Sequence, residues 1–317
     1  MKAFGLPALA AAVLAAAIVV GSLRGATIHP DQSSRTVSAP LPRSQVGDPK
    51  KILLGHDLFY DPHLSRSMRL TCASCHDLTR NGASASRRDR GDTGQYMQFN
   101  TPTVFNSAYN FRLGWGGRTR TLYDMALWTL RTGHLMGGTG LAVRRLAADP
   151  KMVARFRTVY GPGLDEADVA DALASFMGTL VTPDAPFDRW LLGDKTALTP
   201  QQARGFSRFK VLGCASCHQG VNLGGNIFQR RGIFHPLGEP NPVYLRVPSL
   251  RNVSVTAPYF HDGSVQSLPV AIRKMARAQL DLTIEARDIR DISAFLESLT
   301  GSYQGRRLKP AASSNHP

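Results

Sequence analysis

"CASCHDLTRNG" spans Cys72–Gly82, "CASCHQGVNLGG" spans Cys214–Gly225, and both open on the same pentapeptide. The chain has four cysteines in 317 residues, and all four lie in these two copies. Cys72-Ala-Ser-Cys75-His76 and Cys214-Ala-Ser-Cys217-His218 each fit C-x-x-C-H, the pattern of covalent c-type haem attachment. The spacing has a chemical reason. Two thiols three positions apart can each add to one vinyl group of a haem, and the adjoining imidazole then meets the iron as its proximal ligand. Paired disulfides, a redox dithiol or a zinc site built from both halves would also use two C-x-x-C pairs. None of these needs a His directly after each pair. The six residues therefore read as attachment points for two haem c groups, with His76 and His218 as iron ligands.

Each pentapeptide follows a short apolar segment, LLGHDLFYDPHLS before the first and ARGFSRFKVLG before the second, which predicts two cytochrome-c-like modules in tandem. Apolar residues recur at helical spacing over 165–177 and 286–299, and Thr199-Pro200 has the form of a helix N-cap followed by a first-turn proline. No alternating strand pattern of any length is present. The expected fold is mainly α, with two tandem cytochrome-c-like domains over 45–195 and 196–304, each carrying one covalent haem among long loops.

With 43% hydrophobic and 19% charged residues the chain has enough apolar surface for a sizeable core. A formal net charge of +15 favours acidic partners by electrostatic steering. Nucleic acid is not expected among them, because the basic residues are scattered and no aromatic-rich basic stripe accompanies them. The opening MKAFGLPALAAAVLAAAIVVGSLRGA carries Lys2 and then an apolar run from Leu6 to Val20, the form of an export leader. Residues 1–26 read as a signal peptide or a retained N-terminal anchor, and either outcome points to the periplasm. Residues 27–44 read as a flexible spacer and 305–317 as a polar tail.

A second axial ligand decides whether an iron only carries electrons or also meets a substrate. Met275 in RKMARAQL and Met136 in GHLMGG are candidates on sulfur, and His56, His63, His134, His235 and His261 on nitrogen. His29 and His316 lie in the two ends. Spacing alone does not choose among them.

Longer phrases carry a resemblance. NTPTVFNSAYNF (100–111), GWGGR (114–118), TPDAPFDRWLLG (182–193), VPSLRNVSVTAPYFHDGSVQSL (247–268) and AFLESLTG (294–301) resemble the bacterial di-haem cytochrome c peroxidases and their relatives that mature methylamine dehydrogenase. The likeness covers about residues 45–301, in order. It implies a high-potential C-terminal haem held by His218 and Met275, which takes electrons from a small cytochrome c or cupredoxin, and an N-terminal haem at His76 where hydrogen peroxide is reduced. It also implies Trp115 as a relay between the haems, and Asn100 with the backbone carbonyls of Thr256 and Pro258 as ligands of a calcium ion. Association of two copies is a further family habit.

Two departures stand out. The family's distal histidine has no counterpart, since residues 77–99 contain no His and Asp92 falls at that position. The family's catalytic glutamate falls at Leu135, followed by Met136 at the family's methionine. Cleaving an O–O bond needs a proton moved between its oxygens, a task worth about 10²–10⁴-fold to a positioned acid–base group. Leu135 cannot do this, and the adjacent His134 is the candidate replacement. Three readings follow: a cytochrome c peroxidase, a peroxide-driven oxidant of a partner protein, and a non-catalytic di-haem carrier or redox sensor. The second is disfavoured by Met275, because the maturation enzymes use a tyrosine there.

Overall fold

The computed structural model describes residues 37–43 and 47–310. The leader, the rest of the spacer and residues 311–317 lie outside the described residues. No helix among the described residues is long and apolar enough to cross a membrane.

The described fold is mainly helical: α1 (Pro49–Phe59), α2 (Cys72–Cys75), α3 (Leu122–Arg131), α4 (Thr139–Ala148), α5 (Pro150–Tyr160), α6 (Glu166–Gly178), α7 (Pro186–Leu191), α8 (Pro200–Val211), α9 (Leu268–Leu280) and α10 (Ala286–Glu297). Local chemistry sets the starts. Asp48 accepts from the Lys50 amide ahead of α1, Asp165 from the amides of Ala167 and Asp168 ahead of α6, and Thr199 forms a reciprocal capping box with Gln202 ahead of α8. The only strands among the described residues form two short antiparallel pairs, β1 (Phe228–Arg230) with β2 (Tyr244–Arg246) and β3 (Ser302–Tyr303) with β4 (Arg306–Arg307).

Each C-x-x-C-H segment sits beside a closely packed helix pair, and the two pairs are built alike. In the first, Gly55 of α1 lies so close to α6 that a Cβ there would stand 1.9 Å from the Ala172 carbonyl oxygen. One turn on, Phe59 meets Phe176 edge-on at 5.4 Å. In the second, a Cβ on Gly205 of α8 would stand 1.9 Å from the Asp291 carbonyl oxygen of α10, and Phe209 meets Phe295 at 5.2 Å. A glycine lets the two backbones touch and an aromatic ring fills the space one turn later.

The two cores divide the chain near residue 185. The first gathers Leu54, Phe59, Leu130, Phe156, Leu173 and Leu180 among others, and the second Phe187, Leu191, Phe206, Phe209, Ile292 and Phe295. Helix α7 therefore belongs to the second unit, ahead of the boundary expected at 195/196, because Phe187 packs on Phe206 and Phe295 at 5.0 and 5.2 Å.

The ends cross over. Val37 packs on the second core, Ser38 donates to the Gly220 carbonyl at 3.0 Å, and Leu41 N–H donates to the Asp188 carboxylate at 3.1 Å. Leu308 and Tyr303 instead join the first core. The segment 37–43 is thus pinned at Ser38 and Leu41 and the segment 302–308 at Tyr303 and Leu308, where the sequence suggested a spacer reaching residue 44 and a loose tail from residue 305. The physical reason is burial of Leu41 and Leu308, each only 6% exposed.

Candidate functional site

The two C-x-x-C-H loops follow one plan. His76 Nδ1–H donates to the Gly82 carbonyl at 3.0 Å, and His218 Nδ1–H donates to the Leu223 carbonyl at 3.2 Å. A carbonyl partner requires the proton on Nδ1, which leaves Nε2 of each ring as the nitrogen with a free lone pair. The Pro102 carbonyl also faces His76 and the Pro248 carbonyl faces His218. Four residues after each proline an asparagine in the left-handed region, Asn106 (φ 61°) or Asn252 (φ 63°), starts a 3-10 turn. The loops grip each other through these turns. Asn81 Nδ2 donates to the Val255 carbonyl at 2.5 Å, and Asn222 Nδ2 donates to the Asn106 carbonyl at 3.0 Å.

Burial lowers the pKa of both imidazoles, that of His218 to about 4, so both are neutral at pH 7, the form that binds metal. Burial acts oppositely on the thiols, pushing Cys72 and Cys75 up to about 12 and Cys214 to about 11. A redox dithiol needs a depressed thiol pKa, so these cysteines do not have the electrostatics of one. None of the four forms a disulfide.

A largely apolar cavity lies at the second pentapeptide, lined by Cys214, Cys217 and His218 and, from α9, by Met275. Trp115, Asn100, Thr256, Pro258 and His261 line the same cavity. The fold thus gathers nine of the residues singled out in the sequence at this one cavity. Trp115 donates its indole N–H to the Asn100 carbonyl, and its own carbonyl accepts from the Arg246 amide at 2.9 Å. His261 is buried, with its Nε2 unpartnered and its ring edge-on to Trp115 at 6.3 Å.

Other candidates lie elsewhere. His56, His63 and His235 hold carboxylates at the surface, Asp57, Asp61 and Asp281 respectively. Met136 and Leu135 are buried in the first core, whereas His134 is exposed. Asp92 is committed to a structural role, accepting from both the hydroxyl and the amide of Ser67 at 2.5 and 3.1 Å.

The sequence profile described as di-haem cytochrome c peroxidase matches residues 49–196. The cytochrome c551 peroxidase of Nitrosomonas europaea is 36% identical over 83% of this chain and 84% of its own length. The chain belongs to the di-haem cytochrome c peroxidase family. Cytochrome c peroxidase Ccp of Escherichia coli is 37% identical over 83% of this chain, which spans 61% of that longer relative. The methylamine utilization protein MauG of Methylorubrum extorquens is 34% identical, covering 84% of this chain and 82% of that one. Among solved structures, a MauG-like protein associated with microbial copper homeostasis superposes with a TM-score of 0.72 at 24% identity, over 84% of this chain and 94% of that one. This likeness speaks for the fold.

Membership in this peroxidase family implies two c-type haems, and the residues fit them. Two free thiols and an imidazole with an open Nε2 stand at each pentapeptide, and at the second they face an apolar cavity with a thioether on another wall.

Two residues at these sites escaped the sequence reading. Asp89 reaches Cys75 with its carboxylate and accepts from the hydroxyls of Ser84, at 2.7 Å, and Thr101. Arg246 is 5% exposed on the wall of the second cavity. For Arg246 the signal is the internal repeat, since Asn100-Thr-Pro-Thr-Val-Phe-Asn106 aligns with Arg246-Val-Pro-Ser-Leu-Arg-Asn252, whereas Asp89 lies outside both stretches and had no signal in the sequence.

Proposed function

We propose that this member of the family reduces hydrogen peroxide to water, with electrons that arrive one at a time from a small soluble protein at the C-terminal haem and are used at the N-terminal haem. One peroxide takes two electrons and two protons and leaves as two waters. Cys214, Cys217, His218 and Met275 would hold the electron-gathering haem, and Cys72, Cys75 and His76 the other. Bound haem supplies iron that accepts single electrons and, where an axial position is open, binds peroxide. The observation that carries this reading is the asymmetry of axial partners: Met275 shares a cavity with His218, while the loop over 77–99 has no His and its Asp92 is held by Ser67.

The chain's own residues take the remaining roles. Trp115, at the rim of the second cavity and bonded to the loop that leads to Pro102, links the two sites. His134 moves the proton at the first site, since Leu135 has no group to do so. Asn100, Thr256 and Pro258 hold calcium, a fit supported by their oxygens at one cavity and by Asn100 Nδ2 donating to the Ser86 carbonyl, which leaves Oδ1 as an acceptor. The donor docks over β1 and β2, where Gln229 and Leu245 line the cavity and Phe228, Arg230 and Tyr244 are exposed. With a chain charge of +15, that donor is acidic. The leader places the reaction in the periplasm.

Reduced holoprotein mixed with peroxide and a reduced cytochrome tests the reading. Peroxide-dependent oxidation of the cytochrome is expected, and turnover no faster than free haem would overturn it. Leu135, which has no acid–base group, favours the carrier reading instead, which wins if both irons prove six-coordinate and inert to peroxide.

A further inference from the structure

The two haem loops are near copies, so their differences show what has been changed at one site alone. The largest difference is charge. At the first pentapeptide Asp89 brings a carboxylate to Cys75 and His76, held by the hydroxyls of Ser84 and Thr101. The position equivalent to Thr101 in the second copy is Val247, which has no hydroxyl. Among the described residues no carboxylate lines the cavity at the second pentapeptide, whose wall carries Arg231, Arg246 and Arg251.

Of these three, Arg251 is neutralised by Asp188 at 2.7 Å and Arg231 donates to the carbonyls of Leu237 and Gly238. Arg246 differs. It is buried, donates to the carbonyls of Gly114 and Val247, and has no ion-pair partner among the described residues. Burial pushes its pKa down to about 10, so it remains a cation at pH 7. It also occupies the repeat position filled by the uncharged Asn100 in the first copy.

We propose that Asp89 and Arg246 hold the two haems at different potentials, the Asp89 carboxylate favouring the oxidised state at His76 and the Arg246 cation favouring the reduced state at His218. A haem iron gains one negative charge on reduction, so a nearby anion opposes the step and a nearby cation assists it, most strongly where water is excluded. The half-reduced protein then carries its electron at the second site and leaves the first oxidised. Both are positioning residues: they act through the field and make no bond to peroxide. The inference rests on haem attachment at both pentapeptides and deepens the peroxidase reading without depending on turnover.

Equilibrium redox titration of the holoprotein in the absence of peroxide tests it, with the two steps assigned by electron paramagnetic resonance of samples poised between them. Asp89→Asn is expected to raise the midpoint of the first site and leave the second in place, and Asp89→Ala serves if the Asn variant fails to load haem. Arg246→Met is expected to lower the second midpoint alone, and Arg246→Lys to restore most of it. Midpoints equal to wild type in the charge-removing variants, or both midpoints moving together, would overturn the proposal. Separated midpoints that respond as stated in a protein that consumes no peroxide would sink the peroxidase reading and leave this one standing.

Discussion

Trp115 donates its indole N–H to the Asn100 carbonyl oxygen at 2.9 Å. That bond ties the rim of the second cavity to the strand of chain that turns, two residues later, into the Pro102 carbonyl facing His76. Trp115→Phe keeps an aromatic ring and deletes the donor. Transfer of an electron from the second haem to the first is expected to slow, with the rate of reduction by the donor unchanged, as read by stopped-flow at two wavelengths. The lost hydrogen bond should cost about 0.5–1.5 kcal/mol of stability in a denaturant titration. An unaltered transfer rate would leave Trp115 as a packing residue.

The proton at the first site gives a paired prediction. His134→Ala is expected to lower kcat for peroxide by about 10²-fold, and adding Leu135→Glu in the same chain is expected to recover much of it by restoring a carboxyl group beside the gap. Steady-state peroxide consumption reads both. A His134→Ala enzyme as fast as wild type would assign proton supply to solvent.

Arg251 and Asp188 form an ion pair at 2.7 Å with side chains 0% and 3% exposed. Arg251 Nη2 also donates to the Ala39 carbonyl at 2.9 Å. Arg251→Met strands the Asp188 charge inside the protein, and a loss of about 3–5 kcal/mol is expected from chemical denaturation. Residues 37–43 should also loosen, so tryptic cleavage at Arg43 is expected to become faster than in wild type. Equal cleavage rates would show that burial of Leu41 alone holds the segment.

Calcium removal supplies a fourth expectation. Chelation should lower the thermal midpoint and the peroxide turnover together, and added calcium should restore both. Magnesium at the same concentration should restore less, because Mg²⁺ demands a tighter octahedral shell than an amide oxygen and two carbonyls offer. A chelated protein indistinguishable from the untreated one would remove calcium from the site.

The helical class and the family were legible because their signals are local: C-x-x-C-H is a contiguous pattern, and N-caps such as Asp165 and Thr199 act within one turn. Met275 was legible only through resemblance. It sits 57 residues beyond His218, and only the fold carries α9 to the same cavity. Asp89 and Arg246 were not legible as site residues, since each looks like one more charge in a run of arginines or a short strand. Their meaning comes from what surrounds them, two hydroxyls for Asp89 and no carboxylate for Arg246. The crossed ends were also hidden, since a single leucine in a polar stretch gives no periodicity to read.

Those ends have a mechanical consequence. Because Leu41 is anchored in the half that follows it and Leu308 returns to the half that precedes it, neither half owns a continuous piece of chain. Cutting the gene at the midpoint would strip each product of a strap it needs. Heat should melt both halves in one cooperative transition, and the distance and orientation between the irons should hold until that transition begins.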